Sequence, residues 1–126
     1  MISFQTQRFG TLEVEEDRII TFPKGLFGFE EVKRYILIDY KDTPLKWLQA
    51  VDSPNIAFIV AEPKVFLPNY PIEIDPVTRL SLQIERDDDI AVLVILRVDG
   101  SNVIANLQGP LIINSQLMIG SQIILH

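Results

Sequence analysis

Turn signals punctuate this chain at a spacing that suits short strands and leaves no room for long helices. Asp42-Thr43-Pro44, Asp52-Ser53-Pro54-Asn55, Pro63 to Pro71, Asp99-Gly100 and Gly109-Pro110 each interrupt an apolar or alternating segment. Leu12 and Val14 alternate with Glu13 and Glu15, which puts the leucine and valine toward a core and the glutamates toward solvent. Ile19 to Phe22, Tyr35 to Tyr40, Trp47 to Val51, Ile56 to Val60, Asn102 to Leu107, Leu111 to Asn114 and Ser121 to Leu125 read as further strands. Ile90 to Leu96 is the longest unbroken apolar run and predicts a central strand reaching Val98. Asp99-Gly100 signals a hairpin, with Ser101 as an extra residue. Asp75-Pro76 predicts an N-cap and first helical residue, opening a short helix to about Leu82; alternation of Leu80, Leu82 and Ile84 as a strand is the other reading. One helical turn is expected over Glu30 to Arg34, and charged turns at Glu16-Asp17-Arg18 and Asp87-Asp88-Asp89. The fold class is therefore all-β, a small antiparallel barrel-like domain with one short helix, spanning 1–126 as one unit.

Phe22-Pro23-Lys24-Gly25-Leu26-Phe27-Gly28-Phe29 is the most unusual stretch. Pro23 fixes φ and cannot donate to a ladder, which suits a strand end. Gly25 and Gly28 admit positive φ. Three phenylalanines and a leucine predict a packed turn plugging one end of a sheet. None of these side chains is a nucleophile, an acid or a metal ligand, so the element serves packing and recognition.

The 126 residues carry a net charge of −6 and no cysteine. Disulfides, thiol chemistry and cysteine-based zinc sites are excluded. The negative charge disfavours nucleic-acid binding, which requires phosphate neutralisation, and suits a basic protein partner. Met1 to Arg8 lacks the apolar run of a signal peptide, and Ile90 to Leu96 is too short to span a bilayer. A cytoplasmic protein with no membrane partner is expected.

A search for catalytic groups finds none. His126, the sole histidine, is the terminal residue and is poorly held as a base or ligand. Asp87-Asp88-Asp89 lacks calcium-loop spacing and its glycine. Ser53, Ser101 and Ser115 lie in turns without a histidine partner. No catalytic, cofactor-binding or metal-binding residue is assigned, and the protein is not expected to be an enzyme. What remains is surface. Glu13, Glu15, Glu16 and Asp17, with Glu30 and Glu31, form an acidic edge, and Phe27, Phe66, Leu67 and Tyr70 are candidates for an apolar binding groove. An edge that only blocks aggregation and a loop that is only anchored are the plain alternatives. From Val98 to the end, Asp99 is the only charged side chain. Val103, Leu107, Leu111 and Ile113 are expected in the core.

These segments together resemble the FliW family of bacterial flagellar assembly factors. The likeness rests on FGTLEVEEDRIITFPKGLFGFEEVKRYIL, PLKWLQAVDSPNIAFIVAEPKVFLPNY, DDDIAVLVILRV and ANLQGPLIINSQLMIGSQIIL, in order from about Phe9 to Leu125. The resemblance implies a cytoplasmic regulator that binds flagellin in a chaperone-like way. It further implies binding to the translational repressor CsrA, antagonising its repression of flagellin mRNA translation. It implies no cofactor and, by default, a monomer when free. Two departures stand out: Gly109 occupies a position where alanine is common, and the chain ends at His126 where family members often carry a further tail, so contacts of that tail are not expected. The alternative from another class is a small β-barrel ligand- or cofactor-binding domain.

Overall fold

Strand β7 (Ile90–Asp99) organises the architecture because both of its faces are covered. In the computed structural model, which describes residues 1–125, it is preceded by β1 (Ile2–Thr6), β2 (Gly10–Val14), β3 (Ile20–Thr21), β4 (Arg34–Asp39), β5 (Lys46–Ala50) and β6 (Ala57–Ala61). Helix α1 (Pro76–Ser81) lies between β6 and β7, and β8 (Asn102–Ala105), β9 (Leu111–Asn114) and β10 (Ile119–Gln122) follow. Ile90–Leu93 of β7 pairs with β9 and Leu96–Asp99 with β8. Val94–Leu96 pairs with β6. Leu93 joins the central core with Phe22, Tyr35, Leu48, Val60 and Leu111, whereas Val94 packs on the opposite face with Ala61 and Leu96. A strand buried on both sides has no polar face to show, which explains the unbroken apolar run.

The main sheet runs β6-β5-β4-β3-β10-β9-β7-β8, and the β6–β7 pairing brings its ends together into an incomplete ring. Its thinnest link is β3–β10, a single parallel pair between Thr21 and Ile119, which corrects the expectation of a purely antiparallel sheet. The other pairings in the sheet are antiparallel. Period-two alternation divides the side chains. Tyr35, Leu48, Ala50, Val60, Leu111 and Ile113 share the central cluster, while Ile36 and Ile112 belong to clusters on the other face. The β1–β2 hairpin covers Ile36 and Val51 with Ile2, Phe4, Leu12 and Val14. The segment containing Ile72, Ile74, Leu82 and Ile84 covers Ile112 and Val92.

Several expectations need correction. Strand β1 was not anticipated, since only Ile2 and Phe4 mark it as apolar. Residues Glu30 to Arg34 form a hydrogen-bonded turn, Val32 N donating to the Phe29 carbonyl, followed by the start of β4; no helical turn forms there. Ser101 is not an interruption: Asp99 pairs with Asn102, leaving Gly100-Ser101 as a two-residue loop. Gly100 has φ +64° and Ser101 has no positive φ, which matches a type II′ turn. The final strand is Ile119–Gln122 rather than Ser121 to Leu125. Val103 is 52% exposed on the outermost strand, Leu107 is half-buried, and Leu111 and Ile113 are core. The helix at Asp75-Pro76 forms as read, with Thr78 N donating to the Asp75 carboxylate. His126 lies outside the described residues.

Tyr35 is fully buried, and its hydroxyl has no hydrogen-bond partner among the described residues. Burial pushes its phenol up to about 12. A folded-state value above the ordinary one secures stability that is intact below pH ~10 and is lost as pH rises through that value toward the folded one. Tyr70 is raised by burial in the same direction. Tyr35→Phe is therefore expected to be neutral within about 1 kcal/mol at pH 7 and to move the alkaline unfolding midpoint upward. Circular dichroism across the alkaline range checks this; an unchanged midpoint contradicts it.

Candidate functional site

The aromatic turn between β3 and β4 splits its apolar residues between core and surface. Phe22 and Leu26 are fully buried, while Phe27 is 51% and Phe29 39% exposed. Phe22 N donates to Lys33 O at 2.7 Å, Gly25 N to Phe22 O at 2.8 Å and Phe29 N to Leu26 O at 2.8 Å. Phe29 packs edge-on against Phe58 with centroids 5.0 Å apart. The Glu30 carboxylate accepts from Gly28 N at 2.5 Å. Gln122 fastens the turn to β10: its Oε1 accepts from Phe27 N at 2.8 Å and its Nε2 donates to Gly109 O at 2.9 Å. A β-carbon at Gly109 would lie 2.8 Å from Asn106 Nδ2 and 3.1 Å from Gln122 Nε2. Glycine there leaves room for this clamp.

The acidic residues Glu13, Glu15, Glu16, Asp17, Glu30 and Glu31 are all exposed. None belongs to an ion pair among the described residues, where Arg34–Asp52, Lys46–Asp39, Arg79–Asp87 and Arg86–Asp88 use other groups. Glu16 and Asp17 share a cavity with Ile2, Ile19, Arg34 and Leu117, next to the β3–β10 link. The Arg34 guanidinium is held by a bidentate bond to Asp52 and raised chiefly by it, so its charge is already matched. Glu30 and Glu31 stand on the aromatic turn instead and do not line that cavity.

The loop after β6 opens with a 3₁₀ turn at Pro63–Val65 and leaves Val65, Phe66 and Leu67 between 40% and 46% exposed. Tyr70 does not belong with them. It is 7% exposed, and its hydroxyl donates to the Leu107 carbonyl at 2.5 Å, so it anchors the loop and is not one of its exposed side chains. Below the loop lies a cavity of about 460 Å³ lined by Pro63, Tyr70, Ile72, Ile90 and Val92, with Glu62 and Lys64 at its rim. Phe27 is tied to Gln122, a different attachment from that of Phe66 and Leu67. Tyr70→Phe is expected to cost about 1 kcal/mol and to speed amide exchange in residues 63–70, measured by denaturant unfolding and hydrogen exchange; unchanged exchange would deny the anchoring role.

Exposed apolar residues that sequence reasoning missed are Val98, Val103 and Ile104 on the β7–β8 hairpin and Val77 and Leu80 on α1. The nearness of Val98 and Val103 to a two-residue loop was the available signal, since a hairpin tip projects beyond the sheet. Among the described residues, no group of three acidic or histidine side chains could hold a metal ion. Asp87 and Asp88 are instead paired with Arg79 and Arg86. Among the described residues, no helix is long and apolar enough to cross a membrane.

Comparison with known proteins shows the family. The family model described as FliW protein matches residues 3–126. The chain belongs to the FliW family. A flagellar assembly factor FliW from Thermoanaerobacter pseudethanolicus is 39% identical over 128 residues, covering 98% of this chain and 85% of the relative. One from Treponema pallidum is 40% identical over 117 residues, covering 91% and 78%. A crystal structure of the flagellar assembly factor FliW superimposes with a TM-score of 0.92 at 38% identity, covering 98% of this chain and 89% of that one. The relatives that the chain matches are flagellar assembly factors.

Proposed function

We propose that this chain binds flagellin, protecting it in a chaperone-like manner, and binds the translational repressor CsrA, relieving its repression of flagellin mRNA translation. Membership in a family of flagellar assembly factors over nearly the whole chain carries this reading. Two chemically distinct groups of exposed side chains support it. The acidic residues Glu13, Glu15, Glu16, Asp17, Glu30 and Glu31 are exposed, belong to no ion pair among the described residues and suit a basic RNA-binding protein, for which complementary charge mainly raises association rate and selectivity. Phe66 and Leu67 on the loop after β6 and Phe27 on the aromatic turn are exposed apolar side chains that suit the apolar helices of a filament subunit. The protein acts in the cytoplasm as a single barrel-like unit over residues 1–126, monomeric when free, with no direct contact to nucleic acid or membrane. The β6–β7 pairing supports the barrel-like reading.

Calorimetric titration against flagellin and against CsrA, at about 50 mM and 500 mM salt, tests the function. Saturable binding to both is expected, with only the CsrA complex weakening about tenfold or more in high salt. Absence of binding to both at about micromolar concentration, roughly −8 kcal/mol, would remove the function. Salt-insensitive CsrA binding would remove the role of the acidic edge.

A further inference from the structure

A third cavity lies on the opposite side of β5 from the central core, and neither partner surface includes it. It measures about 380 Å³ and sits between the tip of the β1–β2 hairpin at Gln7-Arg8 and the turn at Pro54-Asn55, with Gln49 in its lining. Gln7 N donates to the Pro54 carbonyl at 2.8 Å, closing one wall. Gln49 is fully buried. Its Nε2 donates to the carbonyls of Ala50 and Ile56 at 3.0 and 3.1 Å, with that of Pro54 at 3.4 Å. These three oxygens fix the amide, because exchanging its ends would set oxygen against oxygen. Gln49 Oε1 is left buried without a partner among the described residues. Buried acceptors are almost always satisfied, so this one asks for a donor.

The neighbouring groups say what else that donor carries. Trp47 and Gln49 are two residues apart on β5 and project from one face, about 7 Å apart. The Arg8 guanidinium lies over the Trp47 ring, 4.1 Å from its centroid, and Phe9 and Tyr40 pack on the same indole. Stacking holds the guanidinium plane while its N–H edge stays free to grip a carboxylate. Arg8 has no carboxylate partner among the described residues. We propose that this cavity binds an α-carboxylate with an adjacent N–H donor, the carboxylate on Arg8 and the N–H on Gln49 Oε1. A peptide C-terminus and a free amino acid share that chemistry.

Proton–nitrogen NMR of the Gln49 side-chain amide during titration tests this, with N-acetylglycine as the chain-end probe, glycine as the free amino acid and triglycine amide as the control lacking a carboxylate. Saturable movement of the Gln49 signals is expected below about 10 mM, a weak-site affinity, with N-acetylglycine or glycine and not with the amide. Arg8→Gln, at an exposed position whose fold the same spectra verify, is expected to weaken binding about tenfold. Movement with N-acetylglycine alone assigns a chain end, and movement with glycine assigns the free amino acid. Static Gln49 signals with every probe would overturn the proposal, as would equal binding of the amide or undiminished binding by Arg8→Gln.

Discussion

Gly25→Ala is expected to cost about 2–5 kcal/mol, adding left-handed strain of about 1–2 kcal/mol to overpacking of about 1–3 kcal/mol. Gly25 has φ +67°, and an added β-carbon would lie 2.6 Å from both Cα and O of Glu30. Those are backbone atoms, so no side chain can swing aside. Moving Glu30 would drag Phe29 off Phe58 and loosen Leu26 in the core. Gly28 is the internal control, with φ +85° and nothing near its absent β-carbon. Gly28→Ala should show only the conformational part, about 1–2 kcal/mol. Urea unfolding of both variants separates the contributions. Equal losses at the two positions would mean that the contact with Glu30 contributes nothing.

Phe22→Ala is expected to cost about 3–5 kcal/mol, the usual loss for a buried phenylalanine. Phe22 is fully buried, packs edge-on against Tyr35 with centroids 5.6 Å apart and stands over Gly120. A β-carbon at Gly120 would meet Phe22 Cε2 at 2.6 Å and the Ile112 carbonyl at 3.1 Å. The aromatic ring thus lies directly on the β10 backbone, next to the single Thr21–Ile119 pair that links β3 and β10. Side-chain packing holds the ring of strands where hydrogen bonding is sparse. A coupled cycle tests this. Gly120→Ala alone should destabilise by about 1–3 kcal/mol through overpacking. In a Phe22→Leu background the added methyl has room, so its cost should fall by more than about 1 kcal/mol. Additive losses would place the strain at the Ile112 carbonyl instead.

The sequence made the strand rhythm, the short helix and the packed aromatic turn legible, because each depends on neighbours close along the chain. Asp75-Pro76 marks its own helix, and the glycines of the turn announce positive φ. The missed strand Ile2–Thr6 is different. It contributes only Ile2 and Phe4 to an apolar cluster whose other members lie on β2, β4 and the segments around them. Tyr70 was misread for a related reason: its acceptor, Leu107, is 37 positions away, and no local pattern distinguishes an anchoring tyrosine from an exposed one. Val103 was placed in the core because it is apolar, yet β8 is the last strand of the sheet order. Gln49 lies within the strand read at Trp47 to Val51, and no local pattern marks it as buried. Its burial reflects cover beyond its own strand, where the β1–β2 tip and the Pro54 turn meet. The acidic residues were legible as exposed, since they interrupt apolar alternation or sit in turns.

The most direct test of two surfaces serving two partners is a calorimetric comparison of two variants against both partners. One replaces Phe66 and Leu67 with aspartate; the other changes Glu13, Glu15, Glu16 and Asp17 to their amides. The first should lose about a hundredfold or more in flagellin affinity, as removal of apolar anchors does, and keep CsrA binding. The second should weaken CsrA binding about tenfold at low salt and leave flagellin binding intact. Equal loss of both partners in either folded variant, or no loss in either, would contradict separate surfaces.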